Sequence, residues 1–254
     1  MNRREFLGFV AGAAAGAAPL PIIDTHIHLF DTARPGGVPW PGKRNTVLYR
    51  PAMPDRYRKI AVPLGIAGAI AVECSPLPED NQWVLDVAAK DGIIVGTVGN
   101  LEPGKPEFAR QLERLHRNPL FRGIRYGNLW GRNLGRELVN PEFVAGLKLL
   151  AQAGLAMDTA DPDPALIDAA VRLTDKVPGL RVVVDHLPQL TLPEDSAGRA
   201  AYRANLRELG KRPQVYVKIS QVLRRVDGRV PEDLAFYRST LDELWGIFGE
   251  DRLL

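Results

Sequence analysis

Short apolar runs recur along this chain about every thirty residues, and most of them stop at an ionisable side chain. Seven can be counted, at residues 22–28, 69–74, 93–98, 121–127, 155–159, 180–187 and 214–220. Between them lie stretches with helical spacing of apolar residues. Strand and helix in strict alternation imply βαβ units and a parallel sheet. Seven units with charged groups at the strand ends favour an α/β fold of the (β/α)8 TIM-barrel-like kind, incomplete with about seven strands present; such barrels gather their chemistry at the C-terminal ends of the strands. A doubly wound open sheet is the competing arrangement. It lacks support, because no Gly-x-Gly-x-x-Gly follows the first strand and no phosphate loop is found.

Local signals fix the helices. Asn140-Pro141 supplies a cap and a first-turn proline for a helix to Ala153, which Gly154 ends. A further helix runs from Pro164 to about Lys176, and Asp80 is expected to cap one over residues 81–90. His116 falls among arginines in the last turn of a helix and reads as a surface residue. Residues 31–59 form a proline-rich loop, long enough to expect it over the barrel mouth.

At 254 residues the length suits one large domain, taken as residues 19–254. The net charge of +3 points to neither nucleic acid nor a membrane surface, so a small-molecule substrate is the expected partner. Cys74 is the only cysteine, which excludes an internal disulfide and a cysteine-rich metal site. Residues 1–18 carry Arg3-Arg4 ahead of a weakly apolar run and Ala15-Gly16-Ala17, the pattern of a twin-arginine export signal. A periplasmic location is the expectation. Nothing in the sequence sets the oligomeric state.

The first run ends Asp24-Thr25-His26-Ile27-His28. Alternation along a strand puts His26 and His28 on one face, as half of a metal site or a clamp on a substrate. Two imidazoles are too few for a metal; Glu73, ending the second run, is the expected third ligand, with an ion pair to Arg125 or Lys218 as its other reading. Arg125 offers a planar fork for a substrate carboxylate and Lys218 a point charge at a carbonyl, unless both are structural salt bridges. Asp158 reads equally as a catalytic group or an ion-pair partner. Asp185 should point away from its neighbour His186. Trp40, in the long loop, offers an apolar face for stacking.

The motifs Asp-Thr-His-Ile-His, Val-Glu, Gly-Ile-Arg, Val-Val-Asp-His-Leu and Tyr-Val-Lys-Ile-Ser, in that order, resemble the amidohydrolase superfamily, in the branch that holds small lactonases. The resemblance implies that His26 and His28 are metal or substrate ligands, that His186 is the sixth-strand histidine, and that Arg125 and Lys218 face substrate. It implies a hydrolase opening a small lactone, less readily an amide, either with one divalent metal (zinc first) or with none. A metal-dependent decarboxylase is the alternative, although Asp158 stands where those enzymes carry a histidine; a non-catalytic remnant is another. In the family, a phrase like Phe248-Gly249-Glu250-Asp251-Arg252-Leu253-Leu254 leads into an eighth strand with a catalytic aspartate. The expectation is therefore a chain truncated before that strand, with weak activity.

Overall fold

The computed structural model describes residues 20–223 and 225–254, so the segment read as an export signal lies outside the described residues. Strands β1 (Ile22–Ile27), β2 (Ile66–Val72), β3 (Ile94–Gly99), β4 (Phe121–Arg125), β5 (Ala156–Asp158), β6 (Arg181–Val184) and β7 (Val215–Val217) pair in sequence order, each parallel to the next. Helices α1 (Pro54–Ala61), α2 (Asp80–Ala88), α3 (Phe108–His116), α4 (Leu134–Glu137), α5 (Pro141–Gln152), α6 (Pro164–Lys176), α7 (Ser196–Gly210) and α8 (Leu234–Phe248) fill the connections. The sheet curls as a barrel does: Lys218, just past β7, reaches to 3.2 Å from His26 on β1. Leu253 bridges Val217 in parallel, and the Leu254 N–H donates to the Val217 carbonyl at 2.8 Å, so these residues run beside β7.

Apolar side chains between strands and helices carry the packing. Ile124, Met157 and Val182 on the sheet meet Leu147, Leu150 and Leu173 on α5 and α6 in one buried cluster. A second cluster joins Val184, Val215 and Val217 to Leu206, Leu244 and Phe248. Such parallel strands are covered on both faces, hence their unbroken apolar runs. Caps hold several helices where the sequence places them. Asn140 accepts from the Glu142 N–H and Asp163 from the Leu166 N–H, each beside a proline that has no N–H to satisfy. His116 is exposed at the end of α3, as expected.

Two local expectations give way. Helix α2 begins at Asp80 itself and has no side-chain cap. The Asp80 carboxylate instead takes a two-pronged bond from Arg34 in the long loop, at 2.5 and 3.0 Å. A forked guanidinium pair outcompetes a single backbone N–H. All the strands but β3 also stop earlier than their apolar runs. Thr159, Asp185 and Lys218 lie beyond the assigned strands, which frees their side chains for the site.

Candidate active site

Strand β1 sets the centre. The Asp24 carboxylate accepts the His26 N–H at 3.0 Å and the Tyr57 hydroxyl at 2.9 Å, and the β1–β2 register shifts there. Both histidines end on one side, with ring centroids 4.9 Å apart and nearly perpendicular. The His186 ring comes within 4.3 Å of His26. His28 bonds through Nδ1 to the Val72 carbonyl at 2.9 Å; with the ring proton placed there, Nε2 keeps its lone pair. His186 Nδ1 meets the Ser220 hydroxyl at 2.6 Å. Burial lowers the pKa of all three, His26 to about 2 and His28 to about 3, and the cations nearby push the same way. These imidazoles are neutral at neutral pH.

Charged groups at the other strand ends are tied to one another. Lys218 Nζ donates to Asp158 at 2.5 Å and lies 3.0 Å from Asp185 Oδ1. Burial alone would lower the Lys218 pKa, but the two carboxylates outweigh it and hold the ammonium above the ordinary lysine range. Arg125 lies 3.2 Å from Asp185 Oδ2 and donates to the carbonyls of Thr159 and Glu73. Glu73 sits 3.9 Å from Arg125, and its Oε2 accepts from the Ser75 N–H at 3.0 Å and the Trp130 indole at 3.2 Å. Burial raises its pKa, against the pull of Arg125.

Asp185 corrects the sequence expectation. It is 0% exposed and faces Arg125, Lys218 and His26 rather than away from them. The reason is His186, whose φ of +53° breaks the alternation of a strand, so consecutive residues reach the same site. Trp130, Asp161 and Gln221 also have positive φ, and all four of these residues line one cavity of about 450 Å³ with His28, Trp40 and Arg125. Left-handed backbone at bulky residues is costly and clusters at functional sites. Trp130, Asp161 and Gln221 were not singled out from the sequence; only Gly131, just after Trp130, hinted at an unusual turn there. The long loop does lie over this mouth, with Trp40 packed edge-on against His28 at 5.3 Å and Phe30 at 5.5 Å.

Among the described residues, the side-chain atoms grouped closely enough for a metal come from His26, Asp185 and His186, all within 4.8 Å of one another. The grouping differs from the expected His26, His28 and Glu73, since Glu73 is held away by Ser75 and Trp130. His26 Nε2 is buried with no hydrogen-bond partner, an atom that a bound ion would satisfy. Two imidazoles and a carboxylate are a donor set that fits one divalent ion.

The amidohydrolase family profile matches residues 23–254, all of the curled sheet but its first residue, and the helices. The chain belongs to the amidohydrolase family. Its relatives include the L-fucono-1,5-lactonase of Burkholderia ambifaria, 27% identical over 204 residues that cover 78% of this chain and 67% of the relative. A Burkholderia multivorans amidohydrolase solved with bound zinc is 25% identical, with a TM-score of 0.77 over 92% of this chain and 82% of that one. A putative 2-pyrone-4,6-dicarboxylic acid hydrolase from Pseudomonas putida shares the fold, at 23% identity and a TM-score of 0.68 over 93% of this chain and 82% of that one. This amidohydrolase thus has the barrel-like scaffold that its strand spacing implied.

Proposed function

We propose that this amidohydrolase opens a small, uncharged, hydroxyl-bearing lactone by attack of water on the ring carbonyl. The observation that carries the reading is that neutral His28 and His186 line one cavity with Arg125, while His26, packed against both rings, sits behind them beside Lys218. Lactone opening needs a lone pair to take a proton from water, positive charge for the developing oxyanion, and a proton for the departing alkoxide. His28 Nε2 suits the first task, since its other nitrogen is committed to Val72. The Arg125 guanidinium, held by two carbonyls, supplies fixed positive charge, and the proton that His28 takes from water passes to the departing alkoxide, relayed by His186, which Ser220 orients. Asp158 serves by holding Lys218 rather than by touching substrate.

An uncharged substrate follows from how the cations are spent. Arg125 and Lys218 are already engaged with Asp185 and Asp158, so neither is left over for a substrate carboxylate. The remaining polar lining, Asn128, Asp161, Gln189 and Gln221, suits hydroxyl groups, and Trp40 and Trp130 supply apolar faces. The relative named L-fucono-1,5-lactonase supports a sugar-acid lactone. The zinc-bound relative supports a divalent ion, with zinc first, and His26, Asp185 and His186 are the residues that would hold it. Bound there, the ion would supply Lewis-acid polarisation of the carbonyl.

A screen of sugar-acid lactones and lactone carboxylates by acid release tests the reading. Turnover of the former, lost in His28→Asn, is expected. Preference for a dicarboxylate would overturn it. Periplasmic export belongs to the same proposal: replacing Arg3 and Arg4 with lysine should leave the protein in the cytoplasm, and unchanged export would sink the twin-arginine reading.

A further inference from the structure

We propose that Lys218 and a divalent metal ion are alternative occupants of one ligand set, so that this lysine sets how tightly the site holds metal. The inference concerns the metal-binding residues and stands whatever the substrate is. Three side chains offer grouped ligand atoms: His26, Asp185 and His186. The Lys218 ammonium, which can only donate, lies 3.2 Å from His26 Nδ1 and so places the ring proton on Nε2, the nitrogen an ion would need; it also lies 3.0 Å from Asp185 Oδ1. An ion bonded at about 2.0–2.2 Å to the Asp185 carboxylate would share that group with Nζ, and one bonded to His26 Nε2 would move the ring proton to Nδ1, where it faces the ammonium. Two cations cannot share a dry site without strong repulsion.

The layout also shows where the lysine would go. Asp158 holds Nζ at 2.5 Å and lies outside the ligand group, on β5. Lys218 can give up His26 and Asp185 while keeping Asp158, on a flexible four-carbon stem. The charge count runs the same way. Lys218 and Arg125 face the carboxylates of Asp158 and Asp185, with Glu73 a further 3.9 Å from Arg125. A divalent ion adds two positive charges where two cations already draw on these carboxylates. Removing the lysine charge leaves a site that lacks a cation and has His26 and Asp185 free to ligate.

Zinc affinity of the whole chain, read by competition with a chromophoric chelator at fixed pH, tests this. Lys218→Gln should bind one zinc about tenfold or more tightly than the wild type, the scale expected when a like charge leaves a site of this kind. Its melting temperature should rise further on zinc addition than that of the wild type. His186→Gln in the same background should abolish the gain. In the wild type, the side-chain ammonium resonance of Lys218, observed with ¹⁵N-lysine, should move or vanish as zinc fills the site. If Lys218→Gln does not fold, that resonance decides alone. Equal zinc affinity in the two proteins, no zinc uptake by either, or a Lys218 resonance unmoved by added zinc would each overturn the proposal.

Discussion

The backbone at His186 decides more of the site than any side chain nearby. A strand continued through Asp185 and His186 would have sent one of them outward; the φ of +53° at His186 brings both in. Alternation is the rule available from sequence, so the inward Asp185 was not legible there, whereas the His-x-His pair, Glu73, Arg125 and Lys218 were. The buried Asp185 and Asp158 then fix what Lys218 does. Breaking one partner of a buried ion pair strands the other, at a cost of about 3–5 kcal/mol. Asp158→Ala should lower the unfolding free energy by an amount of that order in urea titrations. The Asp158→Ala/Lys218→Ala pair should cost clearly less than the two single changes summed, and strict additivity would show that the two side chains do not interact. Glu73 makes a milder case. Gln at this position keeps the shape but weakens acceptance from both the Ser75 N–H and the Trp130 indole. Glu73→Gln should raise KM more than it lowers kcat, because it loosens a cavity wall; a loss confined to kcat would place Glu73 in the chemistry instead.

At the scale of elements, helices with a strong punctuation mark were readable almost to the residue. Helix α6 (Pro164–Lys176) runs as its proline and spacing imply, and α5 starts at the Asn140-Pro141 signal. The four-residue α4 escaped notice because one turn carries no period to detect. Asp80 misled because a capping residue and a salt-bridge partner look alike in one dimension; its bond to Arg34 exists only once the long loop folds back over α2. That bond ties the loop bearing Trp40 to the barrel. Arg34→Ala and Asp80→Ala should therefore each raise KM several-fold, and the double change should raise it no further than either alone. Independent effects of the two would mean that the loop is held by other contacts. Gly123, of the Gly-Ile-Arg motif, has a different reason for being there: an added Cβ would meet the Ala156 carbonyl oxygen on β5 at 2.3 Å. Gly123→Ala must spread β4 from β5 just below Arg125, at a cost of about 1–3 kcal/mol in thermal or urea unfolding. A neutral result would show that the strands can part without strain.

For the whole molecule, spacing alone carried the parallel order of the seven strands, since sequential βαβ units leave few other topologies. What spacing does not carry is that the curl brings β1 and the end of β7 into contact, and that the His26–His28 pair of β1 and His186 beyond β6 share one cluster. That cluster has a consequence for acid stability. Burial holds the His28 pKa at about 3, helped by His26 beside it, against an ordinary value of about 6.5 in an unfolded chain. Between those values the unfolded state binds the proton and the native state does not. Native stability is therefore intact above pH 6.5 and falls as acid is added, until the native ring protonates near pH 3. His26 acts with the same sign, whereas Glu73 and Asp158, whose pKa values are raised, act with the opposite one. A single wild-type curve would mix these contributions, so the clean measurement is a difference. His28→Asn keeps a donor for the Val72 carbonyl and removes the titration. In protein freed of metal by a chelator, wild type should lose stability relative to His28→Asn below pH 6.5, by at most about 1.4 kcal/mol per pH unit and nearer half of that for a half-buried ring. Urea midpoints at pH 7.5, 6 and 5 would show the gap closing or reversing; parallel curves over that range would mean that His28 titrates alike in the folded and unfolded chain, and that the three imidazoles are not held neutral by the barrel.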